Sequence, residues 1–244
     1  MIVCLDSGNS RLKWGVHDGH AWLEQGAADH GEPRDEALAA LVARWPQPRR
    51  LLLANVAGPA VAAHIATSLG PWAPLIEEVR SSGQCAGVIN HYQPPERLGV
   101  DRWCALIAAR QRTQAPCLVV MAGTATTIDS LDADGNFCGG LILPGYDLMR
   151  RALASDTASL PLAPGEWTAS PRRTEDAIAT GIIEAQAGAI DRAFARLADP
   201  AAICLLSGGN AGVLRHHLDI PCVEISNLPL EGLLRMARDA GGDS

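Results

Sequence analysis

The chain has 244 residues, of which 48% are hydrophobic and 19% are charged, so it has enough apolar surface for a folded core and is not disordered throughout. Its 27 acidic residues outnumber its 20 basic ones, which gives a net charge of −7. A mildly acidic chain without a basic block is a poor partner for nucleic acid or for an anionic membrane, and neither partner is expected.

The cysteines and the amino-terminus indicate the cellular compartment. The seven cysteines are odd in number and no two are spaced as CxxC, so neither a disulfide framework nor a zinc knuckle is predicted. The chain begins without a basic segment, and Asp6 interrupts the first apolar run, which argues against a signal peptide. No apolar run approaches the ~20 residues of a membrane-spanning helix. These features predict a soluble, cytoplasmic protein with reduced thiols.

The first half of the chain is predicted to alternate strands and helices. Hydrophobic patterning predicts strands over residues 2–6, 11–17, 21–26 and 50–56, and helices over residues 35–45 and 59–69. Residues 71–95 are rich in Gly, Pro and Ser and predict an irregular region that could serve as a lid or a loop between domains.

The second half repeats this organisation. Helices are predicted over residues 100–112, 178–197 and 228–238, and strands over residues 117–122, 125–131, 137–143 and 202–206. A strand, a turn of small residues and a second strand occur at Gly8 and again at Gly123. Two such units in corresponding places indicate a duplicated architecture.

The first candidate motif is the turn Asp6-Ser7-Gly8-Asn9-Ser10-Arg11-Leu12-Lys13. Its small residues expose consecutive backbone N–H groups, which can bind a phosphate. Asp6 could orient Mg²⁺ through water, and Lys13, the only lysine in the chain, could place a positive charge against phosphates. An ordinary hairpin turn explains the same residues, and these residues alone leave both interpretations open.

Three further segments have the same character. Gly123-Thr124-Ala125-Thr126-Thr127 follows a hydrophobic strand and suits a second phosphate loop, although a Thr-rich hairpin is the alternative. The glycines of residues 139–145 permit close backbone approach or mark a bulged strand. Residues 207–210, Ser-Gly-Gly-Asn, are either a nucleotide-contacting turn or a plain connection from strand to helix.

A fifth candidate comprises Tyr92 and Gly99-Val100-Asp101-Arg102 at the start of a predicted helix. Asp101 could act as the general base for a hydroxyl group, with Arg102 holding an anionic group. The alternative is a carboxylate that stabilises the helix N-terminus. The P-loop, dinucleotide-binding, α/β-hydrolase and zincin motifs are absent from the sequence.

In this order and spacing, DSGNSxxK, GVDR, GTATT and GGLILPG resemble the motifs of the type III pantothenate kinases, members of the acetate and sugar kinase/Hsc70/actin superfamily. The resemblance runs from residue 2 to about residue 210. It implies an α/β fold of two actin-like (ribonuclease H-like) domains, with mixed sheets flanked by helices and a nucleotide cleft between the domains. The expected domains are residues 1–114, with the first phosphate loop, and 115–244, with the second loop and the helices of a dimer.

The same resemblance implies ATP-dependent phosphorylation of pantothenate to 4′-phosphopantothenate, the first step of coenzyme A biosynthesis. ATP would bind at Asp6, Ser7, Gly8, Asn9, Ser10, Arg11, Leu12, Lys13 and Thr124, with Mg²⁺ at Asp6 through water. Pantothenate would bind at Tyr92, Gly99, Val100, Asp101, Arg102 and Thr174, with Asp101 as the catalytic proton acceptor. The family is dimeric, which implies a homodimer built by helices such as that over residues 178–197.

Met121 departs from the family pattern, because many members have an aspartate there that is a proposed ligand of K⁺ or NH₄⁺. A thioether is a poor ligand for K⁺, so the monovalent cation site is in doubt.

Two other functions stay open. Another kinase or phosphatase of the superfamily would share the phosphate loops but not Tyr92 with GVDR. A non-catalytic regulator is the second alternative, since some relatives were first described as accessory factors for transcription, but Asp6, Lys13 and Asp101 argue against lost catalysis.

Overall fold

The computed structural model describes residues 1–239, which divide into two compact units. The first unit is Met1–Arg112 together with the described residues from Asn227 onward, and the second is Thr113–Ser226. The division lies within two residues of the expected boundary at 114, but the last helix groups with the first unit and not with the second. Residues 240–244 of the expected second domain lie outside the described residues. No helix within residues 1–239 is long and apolar enough to cross a membrane.

The first unit contains a mixed sheet of five strands. Its elements are β1 (Ile2–Ser7), β2 (Arg11–His17), β3 (Trp22–Asp29), α1 (Glu32–Arg44), β4 (Arg50–Asn55), α2 (Pro59–Leu69), β5 (Ile76–Glu78), β6 (Gln84–Cys85), β7 (Val88–Asn90), α3 (Val100–Arg112) and, at the end of the chain, α7 (Leu228–Asp239). The strand order is β3–β2–β1–β4–β5. β1, β2 and β3 are antiparallel neighbours, whereas β4 and β5 continue the sheet in parallel from β1.

The two faces of this sheet pack against different helices, because successive side chains of a strand point to opposite faces. Val3 and Leu5 belong to a core with residues of α1 and α2, such as Leu38 and Ile65. Cys4, between them, belongs to a second core with residues of α3 and α7.

This second core explains why α7 groups with the first unit. Leu230, Leu233 and Leu234 of α7 are buried in the core that contains Cys4 and Cys104. The helices α3 and α7 also approach so closely that a Cβ atom at Gly232 would overlap the carbonyl oxygen of Cys104. The apolar face of α7 is therefore covered by elements of the first unit.

The second unit repeats the strand order of the first. Its elements are β8 (Cys117–Ala122), β9 (Ala125–Leu131), β10 (Asn136–Pro144), α4 (Tyr146–Asp156), α5 (Thr174–Ala195), β11 (Ile203–Ser207), α6 (Ala211–Arg215) and β12 (Cys222–Glu224). They run in the order β12–β11–β8–β9–β10, with β8, β9 and β10 antiparallel and β11 and β12 parallel to β8. In both units the first, second and third strands form a meander and the fourth and fifth extend the other edge, so the duplicated architecture is confirmed.

The predicted and observed elements agree best where local patterning is strong. β2, α2, α3, β8 and β9 occupy their predicted ranges. The helix predicted from residue 178 begins earlier, at Thr174, and the irregular region of residues 71–95 contains a 3₁₀ turn and three strands of two or three residues. α4, α6 and β12 were not predicted, and α4 has no fully buried residue that would mark a core-facing stripe.

Candidate functional site

The first part of the candidate site lies at the end of β1, where Asp6 is paired in register with Lys13 of β2. Asp6 is only 6% exposed, and its Oδ1 atom has no hydrogen-bond partner within the described residues. Burial raises the pKa of this carboxyl group to about 7; the Lys13 ammonium opposes the shift, and the Asp101 carboxylate adds to it. The structure therefore brings Asp6, Lys13 and Asp101 together within the first unit.

The turn after β1 is held by backbone hydrogen bonds. The N–H of Gly8 donates to the carbonyl oxygen of Arg11 (3.1 Å), and an imidazole nitrogen of His30, Nε2, lies 2.6 Å from the carbonyl oxygen of Gly8. Asn9 and Ser10 are exposed. Leu12, in contrast, is fully buried in the core, so only its backbone could contact a ligand.

Arg11 and Ser7, two of the predicted ATP-binding residues of this turn, interact with other parts of the first unit. Arg11 forms an exposed ion pair with Asp29, 2.9 Å from Nε to Oδ1. Ser7 is fully buried, its Oγ has no hydrogen-bond partner within residues 1–239, and its carbonyl oxygen accepts from the N–H of Val56 (2.9 Å). His30, which supports the turn, has no local sequence signal and was missed.

The second part of the candidate site is the start of α3. The backbone N–H of Arg102 donates to Asp101 Oδ1 (2.8 Å), and the buried Arg102 guanidinium lies 5.9 Å from the centre of the Tyr92 ring, within cation–π distance. A Cβ atom at Gly99 would come within 2.7 Å of Asp101 Oδ1, so a larger residue there would displace this carboxylate. The structure brings Tyr92 and residues 99–102 together, and their binding role stays a prediction.

Asn90 is a residue that sequence reasoning missed. It is 5% exposed, and its Nδ2 donates to the carbonyl oxygens of Ser82 and Pro95, both at 3.0 Å. Its Oδ1 accepts from the backbone N–H of Tyr92 (3.0 Å). Asn90 thus anchors the segment that carries Tyr92, and an Asn side chain bonded to the backbone two residues later is an Asx turn, a signal that was available.

In the second unit, three glycine-containing segments meet at the end of β8. The N–H of Gly145 donates to the carbonyl oxygen of Thr124 (2.9 Å), and a Cβ atom at Gly145 would overlap the backbone of Gly123. Gly208 has a φ of +109°, and a Cβ atom there would overlap the backbone of Ala122. The three segments therefore form one cluster of tight turns, made of residues 123–127, 139–145 and 207–210. Within this cluster Thr124 is exposed.

Met121 lies on β8 between two buried hydroxyl groups. Its register partners are Thr127 on β9 and Ser207 on β11, which place all three side chains on one face of the sheet. Neither Thr127 Oγ1 nor Ser207 Oγ has a hydrogen-bond partner among the described residues. Asp129, fully buried, lies two residues further along β9 on the same face. Two hydroxyl groups thus flank a thioether that is itself a poor cation ligand, with the Asp129 carboxylate on the same face of the sheet.

Thr174 is the first residue of α5 and is exposed. It lies at a groove of about 670 Å³ within the second unit, between α4 and α5. The groove is lined mainly by apolar side chains, among them Leu148, Leu153 and Ile178.

Within residues 1–239 no group of three or more His, Cys, Asp or Glu side chains is arranged to hold a metal ion.

The repeated strand order and the paired turns define the class of the protein as a duplicated, actin-like α/β fold. Solved structures with a similar fold include a proposed 2-dehydro-3-deoxygalactonokinase from Sinorhizobium meliloti, with a TM-score of 0.61 and 14% identity over the whole of both chains. The (R)-2-hydroxyglutaryl-CoA dehydratase component A from Acidaminococcus fermentans has a TM-score of 0.55 and 12% identity over 97% of this chain and 95% of that one. At such identities the likeness concerns the fold alone.

Sequence relatives define the family. A family profile described as Type III pantothenate kinase matches residues 2–196. The Type III pantothenate kinase of Dechloromonas aromatica (strain RCB) is 59% identical over 97% of this chain and 99% of its own length. That of Aromatoleum aromaticum is 50% identical over 98% of both chains. The chain belongs to the type III pantothenate kinase family.

Proposed function

We propose that this chain acts in the cytoplasm and transfers the terminal phosphoryl group of ATP to the primary hydroxyl of pantothenate, which yields 4′-phosphopantothenate for coenzyme A biosynthesis. The observation that carries the proposal is the family match over residues 2–196. The cluster of Asp6, Lys13 and Asp101 supports it, because phosphoryl transfer needs charge neutralisation, alignment and a proton acceptor close together.

ATP phosphates are proposed to bind at residues 6–13, and Thr124 is a second proposed nucleotide contact. Lys13 supplies positive charge, and the backbone N–H of the exposed Asn9 can donate to a phosphate oxygen. In the second unit Thr124 is exposed, on a turn that the Gly145 hydrogen bond holds in place.

Asp6 has the properties expected of a residue that holds Mg²⁺. Its buried Oδ1 atom has no hydrogen-bond partner in the described part of the chain, and burial disfavours its ionised form. A nearby divalent cation would stabilise the ionised carboxylate, so the residue fits this role. When bound, Mg²⁺ neutralises charge on the phosphates.

Pantothenate carries a carboxylate and a primary hydroxyl, and the start of α3 offers partners for both. The Arg102 guanidinium is proposed to bind the carboxylate, with the Tyr92 ring 5.9 Å from it. Asp101 is proposed to accept the proton of the hydroxyl as the oxygen attacks the phosphorus atom. Gly99 leaves the space in which the Asp101 carboxylate lies.

The experiment that tests this function incubates the purified chain with MgATP and pantothenate. We expect ADP and phosphopantothenate, identified by mass spectrometry, in equal amounts, and little ADP when pantothenate is omitted. Parallel reactions with glycerol and simple sugars test the other kinases of this fold. Phosphorylation of one of these in preference to pantothenate would overturn the proposal, and so would a folded protein that binds ATP but phosphorylates no acceptor.

We also propose a homodimer formed by α4 and α5 of the second unit. The apolar groove between these helices and the exposed Leu148 (39%) support it, since a large apolar surface is stabilised when a partner covers it. Light scattering should give twice the mass of the chain. Leu148→Arg should yield monomers, whereas Val213→Arg, at a similarly exposed position on α6, should not. A monomer at working concentration for the unmodified chain would contradict the dimer.

A further inference from the structure

Two cysteines that are distant in the sequence are neighbours in the second unit. β11 and β12 pair in parallel with Cys204 opposite Cys222. Adjacent strands lie about 4.8 Å apart, and a disulfide spans Cα atoms roughly 4.4–6.8 Å apart. Both side chains pack in the same hydrophobic core, so they point to the same face of the sheet. The register therefore gives the two cysteines a Cα separation that is compatible with a disulfide.

The two thiols differ in their accessibility and in their ionisation. Cys204 is fully buried, whereas Cys222 is half-buried on the short strand β12. The neighbouring Cys204 thiol lowers the pKa of Cys222, and the Arg215 guanidinium lowers it further, against the effects of burial and of Glu224. The neighbouring Cys222 sulfur, together with burial, raises the pKa of Cys204. The pair thus comprises one accessible sulfur that ionises more readily and one buried thiol beside it, an arrangement typical of reactive cysteine pairs.

We propose that Cys204 and Cys222 are a redox modification site, at which a peroxide drives formation of a reversible disulfide that links β12 to β11. The site is separate from the residues proposed to bind ATP and pantothenate. It closes a loop that contains α6, and β11 continues directly into the turn of residues 207–210.

The reaction proceeds in two steps. The Cys222 thiolate attacks one oxygen of hydrogen peroxide, the O–O bond breaks, and the departing hydroxide takes up a proton to become water, which leaves Cys222 as a sulfenic acid. The Cys204 sulfur then attacks the Cys222 sulfur, the S–O bond breaks, and the hydroxyl leaves as a second water with the proton of the Cys204 thiol. The two thiols lose two electrons, which reduce the peroxide. A reducing thiol reverses the disulfide by exchange.

Peptide mapping tests the proposal directly, because trypsin separates the two cysteines. Cleavage after Arg196, Arg215 and Arg235 places Cys204 in residues 197–215 and Cys222 in residues 216–235, with no other cysteine in either peptide. The folded protein is treated with hydrogen peroxide, its remaining thiols are blocked, and it is digested without reductant. We expect the two peptides to be joined, with a combined mass two hydrogens below their sum, and to separate after reduction.

Variants establish which cysteines are required. Cys222→Ser should abolish the joined peptides, and Cys204→Ala provides a second test at the buried partner. Cys138→Ser is the matched control, since Cys138 is exposed and lies on another strand, and it should leave the joined peptides unchanged. Oxidation should also raise the midpoint of thermal unfolding, because the new bond restricts the unfolded chain.

Three results would overturn the proposal. One is Cys222 accumulating as sulfinic acid without joined peptides. Another is residues 216–235 joined to a peptide that contains a different cysteine. The third is a bond between two chains, visible as a doubled mass on a non-reducing gel.

Discussion

The two sheets share a strand order but differ in the chemistry at the first turn of each. In the first unit the register places Asp6 opposite Lys13, so a buried carboxylate faces an ammonium group. In the second unit the register places Met121 opposite Thr127, so a thioether faces a hydroxyl group. Ionisable groups are thus concentrated at the first turn, and hydroxyl groups with close backbone contacts at the second. A repeated fold does not repeat the site, because the site depends on individual side chains that the packing of the sheet does not constrain.

The largest expected effect is on catalysis and concerns Asp101, which lies in the first unit. Asp101→Asn should lower kcat by about 10²–10⁴-fold, because the proton acceptor is lost, while ATP binding stays nearly intact. Steady-state kinetics and ATP titration measure both effects. Asp134→Asn, in an exposed turn, is the control that should keep normal activity. A nearly normal kcat for Asp101→Asn would reduce this residue to a helix-capping carboxylate.

The next difference concerns the stability of the unliganded protein as a function of pH. The pKa of Asp6 rises from 3.8 to about 7 on folding, so this residue stabilises the fold fully below pH 4 and loses that contribution as pH rises through 7. Between pH 5 and pH 8 the loss is about 3 kcal/mol in the free energy of unfolding. Urea unfolding at both pH values should show this loss in the unmodified chain and not in Asp6→Asn. An equal loss in both proteins would show that Asp6 is not the group responsible.

We expect the stability of the second unit to depend on close backbone contacts at its turns, whereas that of the first unit depends on the ionisation of Asp6. Gly208→Ala should destabilise the protein by about 1–3 kcal/mol, because the residue has a φ of +109° and its new Cβ atom would overlap the backbone of Ala122. Gly209→Ala is the matched control, since a Cβ atom there meets nothing within 4 Å, and its effect should stay within about 0.5 kcal/mol. Equal midpoints of thermal unfolding for the two variants would contradict the close contact.

The smallest expected effect is on stimulation by monovalent cations, and it tests whether a carboxylate placed at Met121 of the second unit creates a cation site. The unmodified enzyme should show little stimulation by K⁺ or NH₄⁺, and Met121→Asp should show a clear increase. A carboxylate about 4 Å from a cation attracts it by roughly 4 kcal/mol at an effective dielectric constant of 20, before desolvation is subtracted. Rates in Na⁺, K⁺ and NH₄⁺ at matched ionic strength measure the effect. Strong K⁺ activation of the unmodified enzyme would instead assign the cation to oxygens such as those of Thr127 and Asp129.

Elements with strong local patterns were predictable from the sequence. Pro59 at the first turn of α2 and the apolar run of β8 set their bounds locally, and both elements occupy the predicted residues. The ordered motifs indicated the family, which the relatives confirm. The sequence also showed the duplicated turns at Gly8 and Gly123, because each follows a strand in the same way.

Only the tertiary structure decided which distant segments meet. The apolar face of α7 could cover either sheet, and it groups with the first unit because Gly232 lets it approach Cys104 closely. The contribution of Asp101 to the pKa of Asp6, and the pairing of Cys204 with Cys222, arise from strand register and from burial. Such contacts join residues far apart in the chain, and local hydrophobic periodicity carries no information about which partner each face will bury.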